Sequence, residues 1–197
     1  MEITFDTLIE SYLATQVGIA HDFLSPVLAA HLKDNLNKLF NNDEFHSAGT
    51  GDQKQVVHNT LVRSDHIYWL DRKHKDEHEN TFFDLMDNFV QHLNRTCYTG
   101  ITGYEFHYTL YPAGCFYKKH IDQFQKNGTR AFSMVMYLND NWIQSDGGEL
   151  CVHHADHLQH IAPINGKSVF FKSNELEHEV LTTNKPRLSI TGWLKVN

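Results

Sequence analysis

Apolar and polar positions follow a helical spacing in two stretches of the first half of the chain. In the first, "HDFLSPVLAAHLKDNLNKLF", apolar residues recur at three- and four-residue intervals, and Ser25 and Pro26 stand at suitable N-cap and first-turn positions. The second, "HENTFFDLMDNFVQHLNRT", repeats this spacing. The apolar positions are Leu28, Leu32, Leu36, Leu39 and Phe40, and then Phe82, Leu85, Met86, Phe89, Val90 and Leu93. The pattern therefore predicts two amphipathic helices.

The remainder of the chain is typical of short strands, because runs of aromatic and β-branched residues are separated by turn residues. The predicted strands are "HIYWL", "GYEFHYTLYP", "AFSMVMYLN", "GELCVHH", "KSVFFK" and "RLSITGWLKV". Helices followed by many short strands favour a β-sandwich or jelly roll with the helices packed on one outer face.

The last predicted strand alternates cleanly between two kinds of side chain. One face carries Arg187, Ser189, Thr191 and Trp193, and the other carries Leu188, Ile190, Gly192 and Leu194. An arginine on the inner face of a strand that is buried on both sides requires an anionic partner, because an unpaired buried charge is costly.

Earlier in the chain than this arginine, three residues have the chemistry of metal ligands. His120 and Asp122 are two positions apart, so an extended backbone points both to the same side. With His178 they would supply two imidazoles and one carboxylate, the facial triad of non-haem Fe(II) oxygenases. Arg187 would bind a dianionic co-substrate nearby through its planar fork, and Tyr137 has a phenol that needs a hydrogen-bond partner in the core.

Composition narrows the function further. The chain has 197 residues, 41% of them hydrophobic, and a formal net charge of -7, which argues against a nucleic-acid partner. The three cysteines, Cys97, Cys115 and Cys151, form no CxxC pair and favour a reducing compartment. The N-terminus is acidic and no apolar run approaches a membrane span, so we expect a cytoplasmic protein with no membrane partner.

Fifteen histidines is a high count, and only four of them crowd together. These four are His153, His154, His157 and His160. We interpret this group as surface or loop residues rather than as a metal site.

Beyond these patterns, residues from about Tyr104 to Trp193 resemble the catalytic core of the 2-oxoglutarate-dependent prolyl 4-hydroxylases. Within that family the segment is most similar to the hypoxia-inducible-factor prolyl hydroxylases and their bacterial relatives. The matching pieces, in order, are "YPAG", "YKKHID", Arg130 with "YLN", Trp142, "GGELCV", "VFF", "HEV" and "PRLSITGW". Weaker similarity extends back through "VRSDHIYWL" to "HDFL".

The resemblance implies an α+β, mainly β fold: a double-stranded β-helix (jelly roll, cupin-like) core with supporting N-terminal helices. One oxygenase domain would cover residues 1–197, with helical support and the first strands in 1–100 and the catalytic core in 101–197. The implied activity is hydroxylation of a prolyl residue in a protein, with succinate and CO2 as co-products. The implied cofactors are Fe(II), 2-oxoglutarate and O2, with ascorbate as a candidate reductant, and the expected state is a monomer or weak dimer.

The resemblance also assigns roles at the cofactor site. His120, Asp122 and His178 would bind Fe(II). Arg187 and the Tyr137 hydroxyl would hold the distal carboxylate of 2-oxoglutarate. The remaining implied residues are Tyr111 at the oxo-acid, Thr191 near Asp122, and Val135, Leu150, Val180 and Trp193 in the pocket wall.

At the substrate side, Tyr117 and Trp193 would face the incoming peptide. The family pairs an Asp in an "R-x-D" motif with an Arg two strands on, here Asp65 and Arg130, with Arg63 beside them. A mobile loop over the peptide would correspond to about Gly51 to Val62. Phe116 and His107 differ from the residues of the close relatives. These differences bear on the peptide sequence that is recognised and not on the reaction.

Several alternatives stay open at this point. Tyr111 and Trp193 would also serve as core aromatics, Asp65 and Arg130 as a structural ion pair, and Thr191 as an ordinary strand residue. The competing functions are an oxygenase that acts on another residue or a small molecule, a metal-binding jelly roll that senses without catalysis, and a metal-free binding module.

Overall fold

The fold is described from a computed structural model, which covers residues 2–49, 59, 61–123 and 128–197. Its α-helices are α1 (Glu2–Thr15), α2 (Pro26–Asn41) and α3 (Glu77–Cys97). Helices α2 and α3 confirm both helical predictions, and Ser25 Oγ accepts a hydrogen bond from the Leu28 amide at 3.2 Å, as an N-cap should. The sequence analysis did not predict α1, whose buried residues are only Phe5, Leu8 and Ile9.

The strands in the described part form two antiparallel sheets. They are β1 (Gly18–His21), β2 (His46–Ser47), β3 (His66–Trp69), β4 (Gly103–Tyr111), β5 (Tyr117–His120), β6 (Arg130–Tyr137), β7 (Leu150–His153), β8 (Leu158–Ile161), β9 (Lys167–Lys172), β10 (Glu177–Val180) and β11 (Arg187–Lys195). The larger sheet has the order β1-β9-β6-β11-β4-β3-β2, and the smaller has the order β5-β10-β7-β8. Short helical turns at Arg72–His74 and Gln144–Asp146 complete the elements.

Helices and sheets bury two separate apolar clusters. One lies between the three helices and the outer face of the larger sheet, and includes Leu32, Phe89 and Ile190. The other lies between the two sheets and includes Val135, Tyr137 and Val152. This layering confirms the predicted mainly β architecture, a double-stranded β-helix with the helices on one side.

Strand β11 runs through the middle of the larger sheet and is paired along its length with β4 on one side and with β6 on the other. Because side chains alternate, Leu188, Ile190 and Leu194 join the cluster under the helices. Arg187 and Ser189 are buried toward the opposite face. The predicted alternation of this strand is confirmed, and it places the arginine between the sheets.

Two expectations from the sequence bear on the surroundings of this core. The loop predicted at about Gly51 to Val62 lies outside the described residues, apart from Asn59, Leu61 and Val62. Among the described residues, no helix has both the length and the apolar character needed to cross a membrane.

Candidate active site

A cavity of about 750 Å³ opens between the two sheets. Its wall is built from pocket-facing residues of β4, β5, β6, β10 and β11 together with the segment around Arg63. All four residues that the sequence pattern singled out first, His120, Asp122, His178 and Arg187, line it. The pocket-wall residues Val135, Leu150, Val180 and Trp193 also line it, as predicted.

His120, Asp122 and His178 converge on one point of this cavity. His120 Nε2 lies 3.4 Å from Asp122 Oδ1, and His178 Nε2 lies 3.6 Å from Asp122 Oδ2. One ligand atom from each of the three residues lies within 4.8 Å of those of the other two. Pairing of β5 with β10 brings them together, because His120 and His178 are direct partners across the two strands.

Each imidazole is oriented by a backbone carbonyl. His120 Nδ1 lies 2.7 Å from the Lys118 carbonyl, and His178 Nδ1 lies 3.1 Å from that of Leu176. Donation of the Nδ1 proton to a carbonyl leaves the Nε2 lone pair free on the side that faces Asp122. Both rings are therefore held in the tautomer that a metal ion requires.

Asp122 is kept ionised by its surroundings. Burial alone would raise its pKa, but His178, His120 and a hydrogen bond from Ser133 outweigh burial and hold the pKa well below its usual range. Ser133 Oγ donates to Asp122 Oδ2 at 2.6 Å and lies 2.9 Å from Ser173 Oγ. Burial lowers the pKa of His178 to about 4, so at neutral pH this imidazole is uncharged.

The donor set fits a ferrous ion. Two imidazoles and one ionised carboxylate, held together on a cavity wall, are the ligands that non-haem Fe(II) takes in oxygenases. Carbonyls behind the imidazoles and a hydroxyl behind the carboxylate supply the outer contacts that such ligands normally have.

Arg187 forms a second centre in the same cavity. Its side chain is 3% exposed, and its Nε donates to the Gly148 carbonyl at 2.8 Å. The guanidinium carbon lies 5.0 Å from the ring centres of Tyr111 and of Tyr137. No described carboxylate lies within ion-pairing distance of it. The buried Tyr137 hydroxyl faces the guanidinium, and its proton has no acceptor among the described residues.

These two groups fit a carboxylate ligand. A buried guanidinium without an acidic partner and a buried phenol without an acceptor are both costly, unless an anion binds between them. Burial raises the pKa of Tyr137 and raises that of Tyr111 far more. Both phenols therefore keep their protons and remain hydrogen-bond donors.

The turn before β7 helps to position the arginine. Gly147 and Gly148 have φ of 65° and 74°, a left-handed backbone that favours glycine. A Cβ on Gly148 would lie 3.1 Å from Arg187 Cδ. Glycine thus allows the carbonyl that binds Arg187 Nε to approach closely.

Thr191 lies on the same cavity wall, where its hydroxyl is 3.3 Å from that of Ser189. The described contact to Asp122 comes instead from Ser133, which the sequence analysis did not single out. Ser133 lies on the same face of β6 as Val135 and Tyr137, because the three are two positions apart. The alternation of that strand could therefore have identified it. The role of Thr191 toward the metal stays a prediction.

Tyr117 stands beside the metal-ligand cluster. Its ring stacks on that of His120, with centroids 3.5 Å apart and planes 13° apart. The Arg63 guanidinium carbon lies 4.3 Å from the Tyr117 ring centre. Burial raises the pKa of Tyr117 to about 12, so the phenol is neutral at the cavity wall.

The structure corrects the predicted pairing of Asp65 with Arg130. Asp65 Oδ2 pairs with Arg63 Nη2 at 2.6 Å, because residues two apart in extended backbone share a face. Arg130 Nη2 pairs with Glu105 Oε1 at 2.8 Å, and its guanidinium carbon lies 3.4 Å from the Trp193 ring centre. Asp65 therefore positions Arg63, while Glu105 and Trp193 position Arg130.

His107 lies near the aromatic rim of the cavity. Its ring centre is 5.0 Å from that of Trp69 and 5.6 Å from that of Trp193. Thr109 Oγ1 lies 2.9 Å from its Nδ1. Burial lowers the pKa of His107 to about 4, so it is a neutral, hydrogen-bonded part of the wall.

The chain is similar in sequence to known proteins. Residues 106–195 match the model of the 2OG-Fe(II) oxygenase superfamily. A hypoxia-inducible factor prolyl hydroxylase of Caenorhabditis elegans is 31% identical over 150 residues, which are 71% of this chain and 21% of that protein. The chain thus spans about a fifth of the length of this curated relative.

Two solved structures share the whole described fold. A prolyl-4-hydroxylase of Pseudomonas putida has a TM-score of 0.88 and 29% identity, over 98% of this chain and 100% of the other. A prolyl hydroxylase of Trichoplax adhaerens, solved with a hypoxia-inducible factor peptide, has a TM-score of 0.86 and 22% identity, over 98% and 90% of the two chains. Residues 106–195 therefore resemble a 2OG-Fe(II) oxygenase domain, and the described chain shares the fold of these two prolyl hydroxylases.

Proposed function

We propose that this chain hydroxylates a prolyl residue of a protein or peptide substrate, with Fe(II), 2-oxoglutarate and O2, and releases succinate and CO2. The observation that carries the proposal is the buried, acid-free Arg187, which lines one cavity with the His120, Asp122 and His178 cluster and lies against the ring of the buried Tyr137. Metal ligands alone would suit many roles. The added anion site is what a dicarboxylate co-substrate needs.

Each residue has a defined task in this proposal. His120, Asp122 and His178 hold the ferrous ion. Arg187 and Tyr137 bind the distal carboxylate of 2-oxoglutarate, and Arg187 does so through two parallel hydrogen bonds. The bound metal and oxo-acid supply the oxidising chemistry, in which one atom of O2 enters succinate and the other enters the substrate C–H bond.

Four further residues shape the cavity around these ligands. Tyr111 contacts the oxo-acid, Thr191 supports the metal side, and the Leu150 and Val135 side chains keep water out. Exclusion of water strengthens the interaction between Arg187 and a carboxylate, because charges interact more strongly at low dielectric. This chain contributes to the reaction by positioning the ligands and by excluding water.

The similar proteins and the residues that line the cavity both support a peptide substrate. The similar proteins from Caenorhabditis elegans and Pseudomonas putida are prolyl hydroxylases, and the Trichoplax adhaerens structure holds a peptide. In this chain Tyr117 and Trp193 would contact the peptide. Arg63, held by Asp65, and Arg130, held by Glu105, would hold those aromatic rings in place through their guanidinium contacts.

Several finer points belong to the same proposal. Ascorbate would return oxidised iron to the ferrous state, and its omission should shorten the productive life of the enzyme in a long assay. The three free cysteines support a reducing compartment such as the cytosol. We also propose a monomer or weak dimer without a nucleic-acid partner, which light scattering at several concentrations would test.

The decisive test is an anaerobic titration with Fe(II) and 2-oxoglutarate, in which the visible charge-transfer band of the chelate is followed. We expect the band in the wild type and its loss in His178→Ala. Absence of the band in a wild type that has bound iron would overturn the oxygenase assignment and favour a binding module. Mass spectrometry of proline peptides, with free amino acids as the comparison, then separates a prolyl hydroxylase from an oxygenase of other substrates.

A further inference from the structure

The outer face of the smaller sheet carries a second group of metal-ligating side chains. Cys151 is paired directly with Glu179 of β10 on one side and with His160 of β8 on the other. His153 follows on the same face of β7, two positions along. Leu150 and Val152 point the opposite way, into the core between the sheets, so this group is separated from the cavity by the sheet itself.

The distances within this outer group are short. One ligand atom each from Cys151, His153 and Glu179 lie within 4.8 Å of one another. His153 Nε2 is 2.9 Å from Glu179 Oε1, and His160 Nε2 is 4.0 Å from Cys151 Sγ. Cys151, His153 and Glu179 thus present one sulfur, one ring nitrogen and one carboxylate oxygen to a common region. The exposed His160 lies beside Cys151.

We propose that these four residues form a zinc site, with Cys151, His153 and Glu179 as ligands and His160 as the fourth. Around a tetrahedral Zn²⁺, bond lengths of about 2.0–2.3 Å place neighbouring donor atoms about 3.3–3.7 Å apart. The two measured separations, 2.9 Å and 4.0 Å, lie on either side of this range. The exposed His160 side chain would have to rotate toward His153 and Glu179 to complete the site.

Charge and burial favour a soft dication over a plain ion pair. A bond between His153 and Glu179 accounts for those two side chains but leaves Cys151 unexplained. Cys151 is 1% exposed, and burial, followed by the nearby Glu179 and Glu149 carboxylates, raises the pKa of its thiol. Such a thiol is a poor redox nucleophile. A bound Zn²⁺ would neutralise the carboxylates and displace the thiol proton.

The two sites would select different metals. The cavity site offers only nitrogen and oxygen donors, whereas the outer site adds a thiolate, which favours zinc over ferrous iron. They lie on opposite faces of one strand, because His178 and Glu179 are neighbours on β10 and point to opposite sides. The zinc site does not depend on the proposed hydroxylase activity.

Cobalt is the appropriate probe, because Co²⁺ occupies tetrahedral zinc sites and a bound thiolate gives it a near-ultraviolet charge-transfer band. The titration uses the full chain as His178→Ala, which removes a ligand of the cavity site and leaves the outer site intact. We expect one equivalent of Co²⁺ to produce the thiolate band and one equivalent of Zn²⁺ to abolish it.

Matched variants in the same background make the test specific. Cys151→Ser should lose the thiolate band, while Cys97→Ser, at an exposed cysteine outside the group, should keep it. His153→Ala should weaken zinc binding at least about tenfold, since loss of even an outer contact of a ligand costs about 10- to 100-fold in affinity. His153 is only partly buried, so this variant remains informative if Cys151→Ser does not fold.

Two outcomes would overturn the proposal. The first is a folded His178→Ala protein that shows no thiolate band with Co²⁺. The second is a band that persists in Cys151→Ser, or zinc affinity that is unchanged in His153→Ala. Failure here would leave the iron and 2-oxoglutarate titration of the wild type unaffected, so the two hypotheses fail separately.

Discussion

The two faces of the larger sheet differ in how completely their side chains find packing or hydrogen-bond partners within the protein. Toward the helices, alternate residues such as Met134, Met136 and Ile190 pack into a closed apolar cluster. Toward the smaller sheet, the same strands present Ser133, Tyr137 and Arg187. Among the described residues the Tyr137 hydroxyl lacks an acceptor and Arg187 lacks a carboxylate partner. One face therefore stabilises the fold, and the other is completed by ligands.

This contrast indicates which substitutions should change stability and which should change ligand binding. The same two strands, β6 and β11, serve both faces, so neighbouring residues in the sequence should give opposite phenotypes. Substitutions on the helix side should lower the free energy of unfolding and spare ligand affinity. Substitutions on the cavity side should lower ligand affinity and largely spare the free energy of unfolding.

Asp122→Ala should abolish both 2-oxoglutarate turnover and the Fe(II) chelate band, because it removes the anionic ligand between the two imidazoles. Ser133→Ala is the matched control: it removes only the hydroxyl behind the carboxylate. That control should weaken iron binding by about 10- to 100-fold without abolishing turnover at saturating iron. Succinate formation measures both, and wild-type turnover in Asp122→Ala would refute the assigned metal site.

Ile190→Ala should lower the free energy of unfolding by about 2–5 kcal/mol, because it leaves a cavity in the packed cluster under the helices. Ile190 is fully buried on that side. The affinity for 2-oxoglutarate should stay at its wild-type value in the fraction that remains folded. Urea unfolding and ligand titration of one preparation would test both, and a selective loss of affinity would contradict the division between the faces.

His107 should make stability depend on pH. Its pKa is lowered by burial to about 4, below the usual 6.5, so the unfolded chain binds more protons between these values. The stabilisation is fully present above about pH 6.5 and is lost as the pH falls through 4, a loss on the order of 3 kcal/mol.

The variant His107→Met tests this contribution. Urea unfolding of wild type and variant between pH 7 and 4 should show a shallower pH dependence in the variant, which cannot titrate at this position. Other groups, including His178, remain the same in both proteins. Parallel pH curves for the two would show that His107 does not contribute.

Arg187→Ala should raise the 2-oxoglutarate requirement by about 10- to 100-fold, the equivalent of the 1.5–3 kcal/mol of a charged hydrogen bond. Arg187→Lys should recover only part of this, because the planar fork is lost. Equal KM values for 2-oxoglutarate in all three proteins would place the carboxylate elsewhere.

Tyr137→Phe should weaken 2-oxoglutarate binding by about fivefold, near 1 kcal/mol, through loss of one hydrogen bond. Without ligand the variant should be as stable as the wild type or slightly more so, because the buried hydroxyl has no described partner to lose. Thermal unfolding with and without 2-oxoglutarate would reveal a smaller ligand-induced shift. A destabilised ligand-free variant would point to an unrecognised partner of the hydroxyl.

Local patterns predicted much of this arrangement. Strong periodicity identified α2, α3 and β11, and the i, i+2 spacing of His120 and Asp122 indicated a shared ligand. Helix α1 was missed because only three of its residues are buried, while Ile3 and Leu13 are exposed and blur its apolar stripe. Strands β5 and β10 were hard to recognise because they are four residues long and largely polar.

What the sequence could not supply was the partner chosen across the sheet. Arg130 pairs with Glu105, far away along the chain, and this choice depends on the order of β6, β11 and β4. The Arg63 and Asp65 pair, in contrast, is local and follows from extended backbone alone. Likewise, the outer cluster at Cys151 required the registers of β7, β8 and β10.

The continuous pairing of β11 on both sides also limits how this protein can evolve. Deletion of one residue within the strand would shift its alternation by one position. Leu188 would then face the co-substrate and Arg187 would face the helices, so catalysis and folding would fail together. Descendants of this chain can therefore vary β11 by substitution, whereas changes in length should accumulate in the connections between strands.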